Sequence, residues 1–178
     1  MEAKREGFLS VGRISPVKNT LDLLKLFDQQ NENLSLIGTP DDVDYHQLCK
    51  AIAARNEGVK LIGGVGPDQI SEHYLRSKFS ISMTTGENFG HAIIEALSHG
   101  CPVIISDRTP WNDLEEQGAG WVIPLEDENR WQQVLKEASE IDPERYSEMS
   151  ANAVAYVKRK FDLNQLREQY LELFGATN

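Results

Sequence analysis

Residues 79–106 read FSISMTTGENFGHAIIEALSHGCPVIIS. The apolar run from Phe79 to Met83 has the length and composition of a buried strand. A polar turn follows, and then apolar residues at helical spacing from about Phe89 to His99. Gly100 and Pro102 stop that helix, and Val103 to Ser106 form a second apolar run. A strand, a helix and another strand within so short a stretch are the unit of a parallel sheet covered by helices.

The same alternation extends in both directions. Phe8 to Val11, Leu34 to Ile37, Val59 to Ile62 and Trp121 to Ile123 read as further strands, apolar almost throughout, as strands buried on both faces must be. Between them, Leu21, Leu24, Leu26 and Phe27 mark one helix and Val43 to Asn56 a second. Pro67 opens a third, with Asp68 in its first turn and Ile70, Tyr74 and Leu75 at helical spacing. After Pro124 the strands end. Asp127 to Ile141, Pro143 to Lys160 and Leu163 to Phe174 read as helices.

No internal repeat or Ser/Gly-rich linker divides the chain. The expectation is one α/β domain over residues 1–178: a Rossmann-like, doubly wound parallel sheet of about six strands with a helical tail from about 143 to 175. In such sheets ligands bind beyond the carboxyl ends of the strands.

Composition narrows the function. The chain has 178 residues, with 28 Asp or Glu against 18 Lys or Arg and a net charge of −10. That disfavours nucleic acid as a partner, since a phosphate polymer is held mainly by an excess of cations. The mean hydropathy of −0.44 fits a water-soluble chain with one core. No run approaches the roughly 20 apolar residues that span a bilayer, and MEAKREGFLSVGRI carries no signal-peptide apolar core, so a cytoplasmic location is expected. Cys49 and Cys101 are too few for a disulfide framework or a four-ligand zinc site, and buried thiols are expected.

The strand ends carry the chemistry. Gly12-Arg13-Ile14-Ser15-Pro16-Val17-Lys18 sets two cations across a turn that leads into a helix, where a phosphate would meet both charges and the free N–H groups of a helix start. Taken alone, Arg-x4-Lys is equally a pair of solvated charges. Gly38-Thr39-Pro40 and Gly63-Gly64-Val65-Gly66-Pro67 allow close approach by a ligand, but tight turns need such glycines too. Neither loop supplies the G-x-G-x-x-G of a dinucleotide site, which disfavours a nicotinamide cofactor. After the fourth strand, Glu87 stands in the loop and Glu95 inside the helix. Eight helical steps would separate them by about 12 Å along the axis, a span suited to two ends of one extended polar ligand. The amides of Asn88, Phe89 and Gly90 would face the Arg13 and Lys18 loop as a second cradle.

Taken in order, Gly-Arg-x4-Lys, Glu-x7-Glu beginning Glu-Asn-Phe-Gly, and Glu-Ala-Leu-x-x-Gly-Cys-Pro-Val-Ile closely resemble the retaining GT-B glycosyltransferases of family four, also known as glycosyl transferases group 1. Ser106-Asp107-Arg108-Thr109-Pro110-Trp111 and Gly118-Ala119-Gly120-Trp121 resemble one bacterial branch of it. The resemblance runs over nearly the whole chain from Phe8. It implies the C-terminal, donor-binding half of a two-domain enzyme that moves a sugar from a nucleotide-diphosphate donor. Arg13 and Lys18 would hold the diphosphate beside Gly12, and Glu95 would receive the ribose hydroxyls. Glu87, with the amides of Asn88, Phe89 and Gly90, would hold the donor sugar and belong to the catalytic set without acting as a nucleophile. The segment Leu61 to Val65, including Ile62 and Gly63, would line the base. No cofactor and no metal are expected.

The resemblance also implies an N-terminal, acceptor-binding half that this chain lacks, and MEAKREG reads like an engineered start. The expectation is weak donor binding and little or no transfer by this chain alone, with apolar surface exposed around Phe89 and Trp111. Rival readings are a nucleotide-sugar epimerase half and a non-catalytic nucleotide-sugar-binding module. A phosphorylase would need a pyridoxal lysine motif, and a receiver domain an acidic pair where Val11-Gly12-Arg13 stands. Asp42-Val43-Asp44 resembles the metal motif of another glycosyltransferase fold, but at the start of a helix it reads as capping. His91 and His99 have no partner at ligand spacing. Lys158, Arg159 and Lys160 read as a solvated helix end rather than a membrane contact.

Overall fold

The computed structural model describes residues 5–161. Six strands, β1 (Phe8–Val11), β2 (Leu34–Ile37), β3 (Val59–Gly63), β4 (Phe79–Ser82), β5 (Val103–Ser106) and β6 (Gly120–Ile123), form one sheet. Their spatial order is β3-β2-β1-β4-β5-β6, and every pairing is parallel. The strand order reverses between β1 and β4. The loops leaving these two neighbours therefore diverge to opposite faces and leave a crevice at the carboxyl edge.

Six helices cover the sheet: α1 (Thr20–Asp28), α2 (Val43–Ala53), α3 (Pro67–Arg76), α4 (His91–Ser98), α5 (Glu128–Glu140) and α6 (Pro143–Lys160). Strand periodicity divides the core. Phe8, Phe79 and Ile81 join Phe27 of α1 and Trp131 of α5 in one cluster, whereas Leu9, Val103 and Ile105 join Tyr74, Ile93, Leu97 and Tyr156 in another. Fully burying a side chain such as Phe79 or Leu97 stabilises the fold by about 1.5–3 kcal/mol. Truncation to Ala would cost on the order of 3–5 kcal/mol once the cavity is included.

The helix starts follow their caps. Asp42 accepts the Tyr45 N–H at 2.7 Å, so the first carboxylate of Asp42-Val43-Asp44 caps α2. Asp127 and Asp142 cap α5 and α6 in the same way, from the N–H groups of Arg130 and Arg145. Two helices depart from their sequence reading, and the one expected over Val43 to Asn56 ends at Ala53. The helix expected from Phe89 begins at His91, because Gly90 takes φ 80° as its N-cap and a left-handed residue interrupts a right-handed helix.

Cys49 and Cys101 are free and buried, and burial pushes their thiols up to about 11 and about 12. The basic end of α6 is exposed, and within that surface Arg159 donates to Gln117 Oε1 at 2.5 Å and Lys160 pairs with Asp113 at 2.9 Å. No described helix is long and apolar enough to cross a membrane. The helix expected over Leu163 to Phe174 lies outside the described residues.

Candidate active site at the switch point

The crevice is built by three loops tied to one another by short polar bonds. At the end of β1, Gly12 meets Gly38 from the end of β2 so closely that a Cβ on Gly38 would stand 1.8 Å from the Gly12 carbonyl oxygen. Only glycine permits that crossing. The chain then turns through Ile14 to Val17, and the Val17 carbonyl accepts the N–H of Thr85 at 2.8 Å and its hydroxyl at 3.1 Å. The Thr84 hydroxyl reaches the same carbonyl at 3.0 Å. Ser106, at the end of β5, donates to the Thr84 carbonyl at 2.6 Å, and the Glu87 N–H donates to Arg108 O at 3.0 Å. The loops after β1, β4 and β5 are thus fastened by side chains from strand ends.

Those ties place Lys18 against Glu87. The ammonium Nζ and the carboxylate Oε2 form a direct ion pair, with the two side chains only 26% and 21% exposed. Burial alone pushes the Glu87 carboxyl up, but the Lys18 ammonium and the N–H groups of Gly90 and Phe89 outweigh it and hold the carboxyl below the usual glutamate range. Gly90 is required here in two ways. Its φ of 80° disfavours any side chain, and a Cβ would press on Ile93, on Glu87 Cγ at 3.2 Å and on Trp111 Nε1 at 3.2 Å.

Of the amides expected to cradle a ligand, those of Phe89 and Gly90 are therefore engaged by Glu87, and Asn88 lies in an exposed turn before the helix. The stretch between Glu87 and His91 is not helical, so the axial separation expected for eight helical steps does not apply. Arg13 leaves the β1 loop toward the other side: its guanidinium pairs with Asp41 at 2.9 Å and is largely exposed. Each cation thus already has a carboxylate, and the two do not converge on one group. Gly12 lies beside the stem of Lys18, with a notional Cβ 3.6 Å from Lys18 Cε.

Glu95 is exposed on α4, and its Oε2 accepts from the Tyr74 hydroxyl at 3.4 Å. The same hydroxyl donates to the Ala92 carbonyl at 3.1 Å. Tyr74 is fully buried, which pushes its hydroxyl strongly up, with Glu95 adding to the effect, so it stays a proton donor. Ile62 and Gly63 end the edge strand β3, and no atom lies within 4 Å of a Cβ built on Gly63. The site is open there.

The structure corrects the expected exposure of Trp111. Its ring is buried, its indole N–H donates to Phe89 O at 2.5 Å, and it packs against Phe89, Tyr156 and Phe161. Phe89 alone of the two stays accessible, at 40%. Trp111 supports the Glu87 loop from beneath instead of facing outward.

Sequence reasoning missed Tyr74, Thr84 and Thr85 as parts of the site. Spacing marked Tyr74 as an apolar contact of α3, and nothing local announces that its hydroxyl meets a carboxylate 21 residues further on. The Thr pair carried a signal only in its place after a strand.

A Rossmann-like sheet with a carboxylate and an ammonium joined at its switch point defines the class, a doubly wound α/β protein. Residues 2–156 match the family of glycosyl transferases group 1, and the chain belongs to that family. It is 26% identical over 168 residues to the O-antigen chain mannosyltransferase RfbU of Salmonella typhimurium, an alignment covering 93% of this chain and 46% of RfbU. The chain thus spans about half the length of this relative. Among solved structures, TarM of S. aureus superposes with a TM-score of 0.80 at 19% identity, covering 98% of this chain and 36% of TarM. Anabaena HepE in complex with UDP-glucose superposes with a TM-score of 0.75 at 20% identity, covering 97% of this chain and 49% of HepE. These likenesses confirm the α/β architecture of a GT-B glycosyltransferase.

Proposed function

We propose that this chain is the donor-binding half of a retaining glycosyltransferase that takes a hexose from a nucleotide-diphosphate sugar. The observation that carries the reading is the Lys18 and Glu87 pair, held by three loops at the point where the strand order reverses. Lys18 is the cation nearest the reacting centre. When the donor enters, its β-phosphate takes the ammonium from Glu87, and Arg13 turns from Asp41 to the same diphosphate. Glu87, released from Lys18 but still held by the N–H groups of Phe89 and Gly90, accepts hydroxyl protons of the donor sugar. Glu95, oriented by Tyr74, accepts the ribose hydroxyls, and the base lies over the open end of β3 at Ile62 and Gly63. HepE, whose fold this chain shares, is solved with UDP-glucose, which supports a nucleotide sugar at this edge.

In the reaction the anomeric C–O bond to the β-phosphate breaks and its electron pair goes to the phosphate oxygen. The acceptor hydroxyl attacks the anomeric carbon from the same face and passes its proton to that oxygen. Lys18 and Arg13 stabilise the charge that grows on the diphosphate, and being fixed before reaction they need little reorganisation. No protein nucleophile is required. The acceptor would be held largely by a second half, as the relation in length to RfbU suggests.

A transfer assay with radiolabelled nucleotide sugar tests the division of labour. The chain alone should show no turnover above background. Joined to an N-terminal acceptor-binding half, it should transfer sugar with retained anomeric configuration. Steady multiple turnover by the chain by itself would contradict the assignment.

A further inference from the structure

A groove of about 560 Å³ runs between α1 and α5, over the loops that leave β4 and β6. That volume lies in the range of ligand-binding clefts, roughly 300–1,000 Å³. It is separate from the Glu95 side of the crevice, and nothing in the proposed donor site uses it. We infer that this groove binds a neutral, hydroxyl-rich ligand, the acceptor glycan, so that the donor-binding half itself holds part of the acceptor. The inference rests on Lys18 and Glu87 marking the reacting centre.

Three observations carry it. The first is position. Asn19, which follows Lys18, and Thr85, which bonds Val17 and stands two residues before Glu87, both line the groove. A sugar lying there would bring a hydroxyl to the edge of the reacting centre.

The second is charge. The walls carry Asp22, Glu126 and Glu128 against the single ammonium of Lys25. Lys25 is engaged by Asp22 at 2.8 Å, and Glu126 by Arg108 at 2.7 Å. The remaining balance is acidic and repels a diphosphate, so the groove is not a second place for the nucleotide. Carboxylates and the amides of Asn19, Gln29 and Gln132 accept from and donate to hydroxyl groups at no cost in net ligand charge.

The third is an orphan. Trp131 lines the groove from α5, is 1% exposed, and its indole N–H has no hydrogen-bond partner. Among the described residues it is the one buried side-chain polar atom left unsatisfied. Leaving a buried donor unpaired is costly, and native chains seldom do so without a reason. A ligand oxygen that reaches the indole N–H is a partner that the chain does not itself supply, and the partly exposed side chains of Leu26 and Leu125 give the groove its apolar contact.

The test follows the Trp131 indole resonance by 15N–1H NMR during titration with α-linked mannobiose. The expected result is a saturable shift of Trp131, with Trp111 and Trp121 unmoved, that persists when UDP is present at saturation. Gln29 and Gln132 are exposed, so Gln29→Ala with Gln132→Ala keeps the fold and should weaken the saccharide by about tenfold, the loss of two hydrogen bonds, while UDP binding stays as it was. Absence of a saturable Trp131 shift overturns the inference. So does a shift that UDP abolishes, which would put the saccharide in the donor-sugar position. A Trp131 response in a chain that ignores UDP altogether sinks the donor reading and not the groove.

Discussion

Glu87 and Glu95 stand eight residues apart on one loop and helix, yet they occupy opposite electrostatic situations. Glu87 is three-quarters or more buried and is held by an ammonium and two amides before any ligand arrives. Glu95 is exposed and takes one long hydrogen bond from a buried tyrosine. The difference follows from the backbone. Gly90 stops the helix short of the loop, so Glu87 folds back onto the amides at the helix start, whereas Glu95 stands on a helix face. A ligand must compete with Lys18 for Glu87 but finds Glu95 ready to accept.

That contrast is most exposed to failure at Glu95. Replacing it by Gln keeps the shape and removes the charge, and should cost on the order of 1.5–3 kcal/mol of nucleotide affinity with little change in melting temperature. UDP and UDP-sugar should lose alike, as calorimetry would show. A protein that melts early with its affinity intact would make Glu95 structural.

Glu87→Gln should split the two ligands. The sugar nucleotide loses about 1–2 kcal/mol, whereas the nucleoside diphosphate holds or gains affinity because Lys18 is released to it. Equal losses for both would show that Glu87 does not restrain Lys18.

Smaller still is the effect expected of Tyr74→Phe. Removing the hydroxyl leaves the buried ring in place but frees Glu95, and nucleotide affinity should fall by roughly 0.5–1.5 kcal/mol. A Glu95→Gln background should erase most of that loss in a double-mutant cycle, and full additivity would deny the coupling.

The pH dependence of stability gives the slightest signal. Because the Glu87 carboxyl is held below its ordinary 4.5, its ion pair contributes fully above about that pH and is lost as pH falls through the lower folded value. Asp113, lowered from 3.8 against burial by Tyr156 and Lys160, acts in the same direction. Thermal melting from pH 7 down through the acid range should therefore show a steeper fall for the wild type than for Glu87→Gln. Parallel curves would mean that the pair adds nothing to the fold.

Much of this was legible in the residues. Strands apolar on both faces, such as Val103 to Ser106, announce a covered parallel sheet, and the starts of α2, α3 and α6 follow from Asp42, Pro67 and Pro143. The start of α4 was not, because the sequence Phe-Gly-His does not tell a left-handed Gly90 from a helical one. Nor were pairings between distant segments. Arg13 and Lys18 read as one cation pair, but their partners, Asp41 and Glu87, lie on different loops, and only the assembled sheet decides which carboxylate each one meets. Trp111 read as surface because its cover comes from two distant places, Phe89 in the loop before α4 and Tyr156 and Phe161 on α6 and at its C-cap. The groove over Trp131 joins α1 to α5 across more than 100 residues of chain and leaves no local mark.

Calorimetry of UDP and GDP beside uridine and guanosine, on the wild type and on Arg13→Ala with Lys18→Ala, asks directly whether the switch point is a diphosphate site. The wild type should prefer one diphosphate over its nucleoside by about tenfold or more, since charge-assisted contacts to the phosphates are among the stronger hydrogen bonds, and the double variant should lose that preference while keeping its fold. A wild type that binds nucleoside and diphosphate equally, or a double variant that keeps the preference, would show the cations at this edge to be ordinary loop charges and would remove the donor from it.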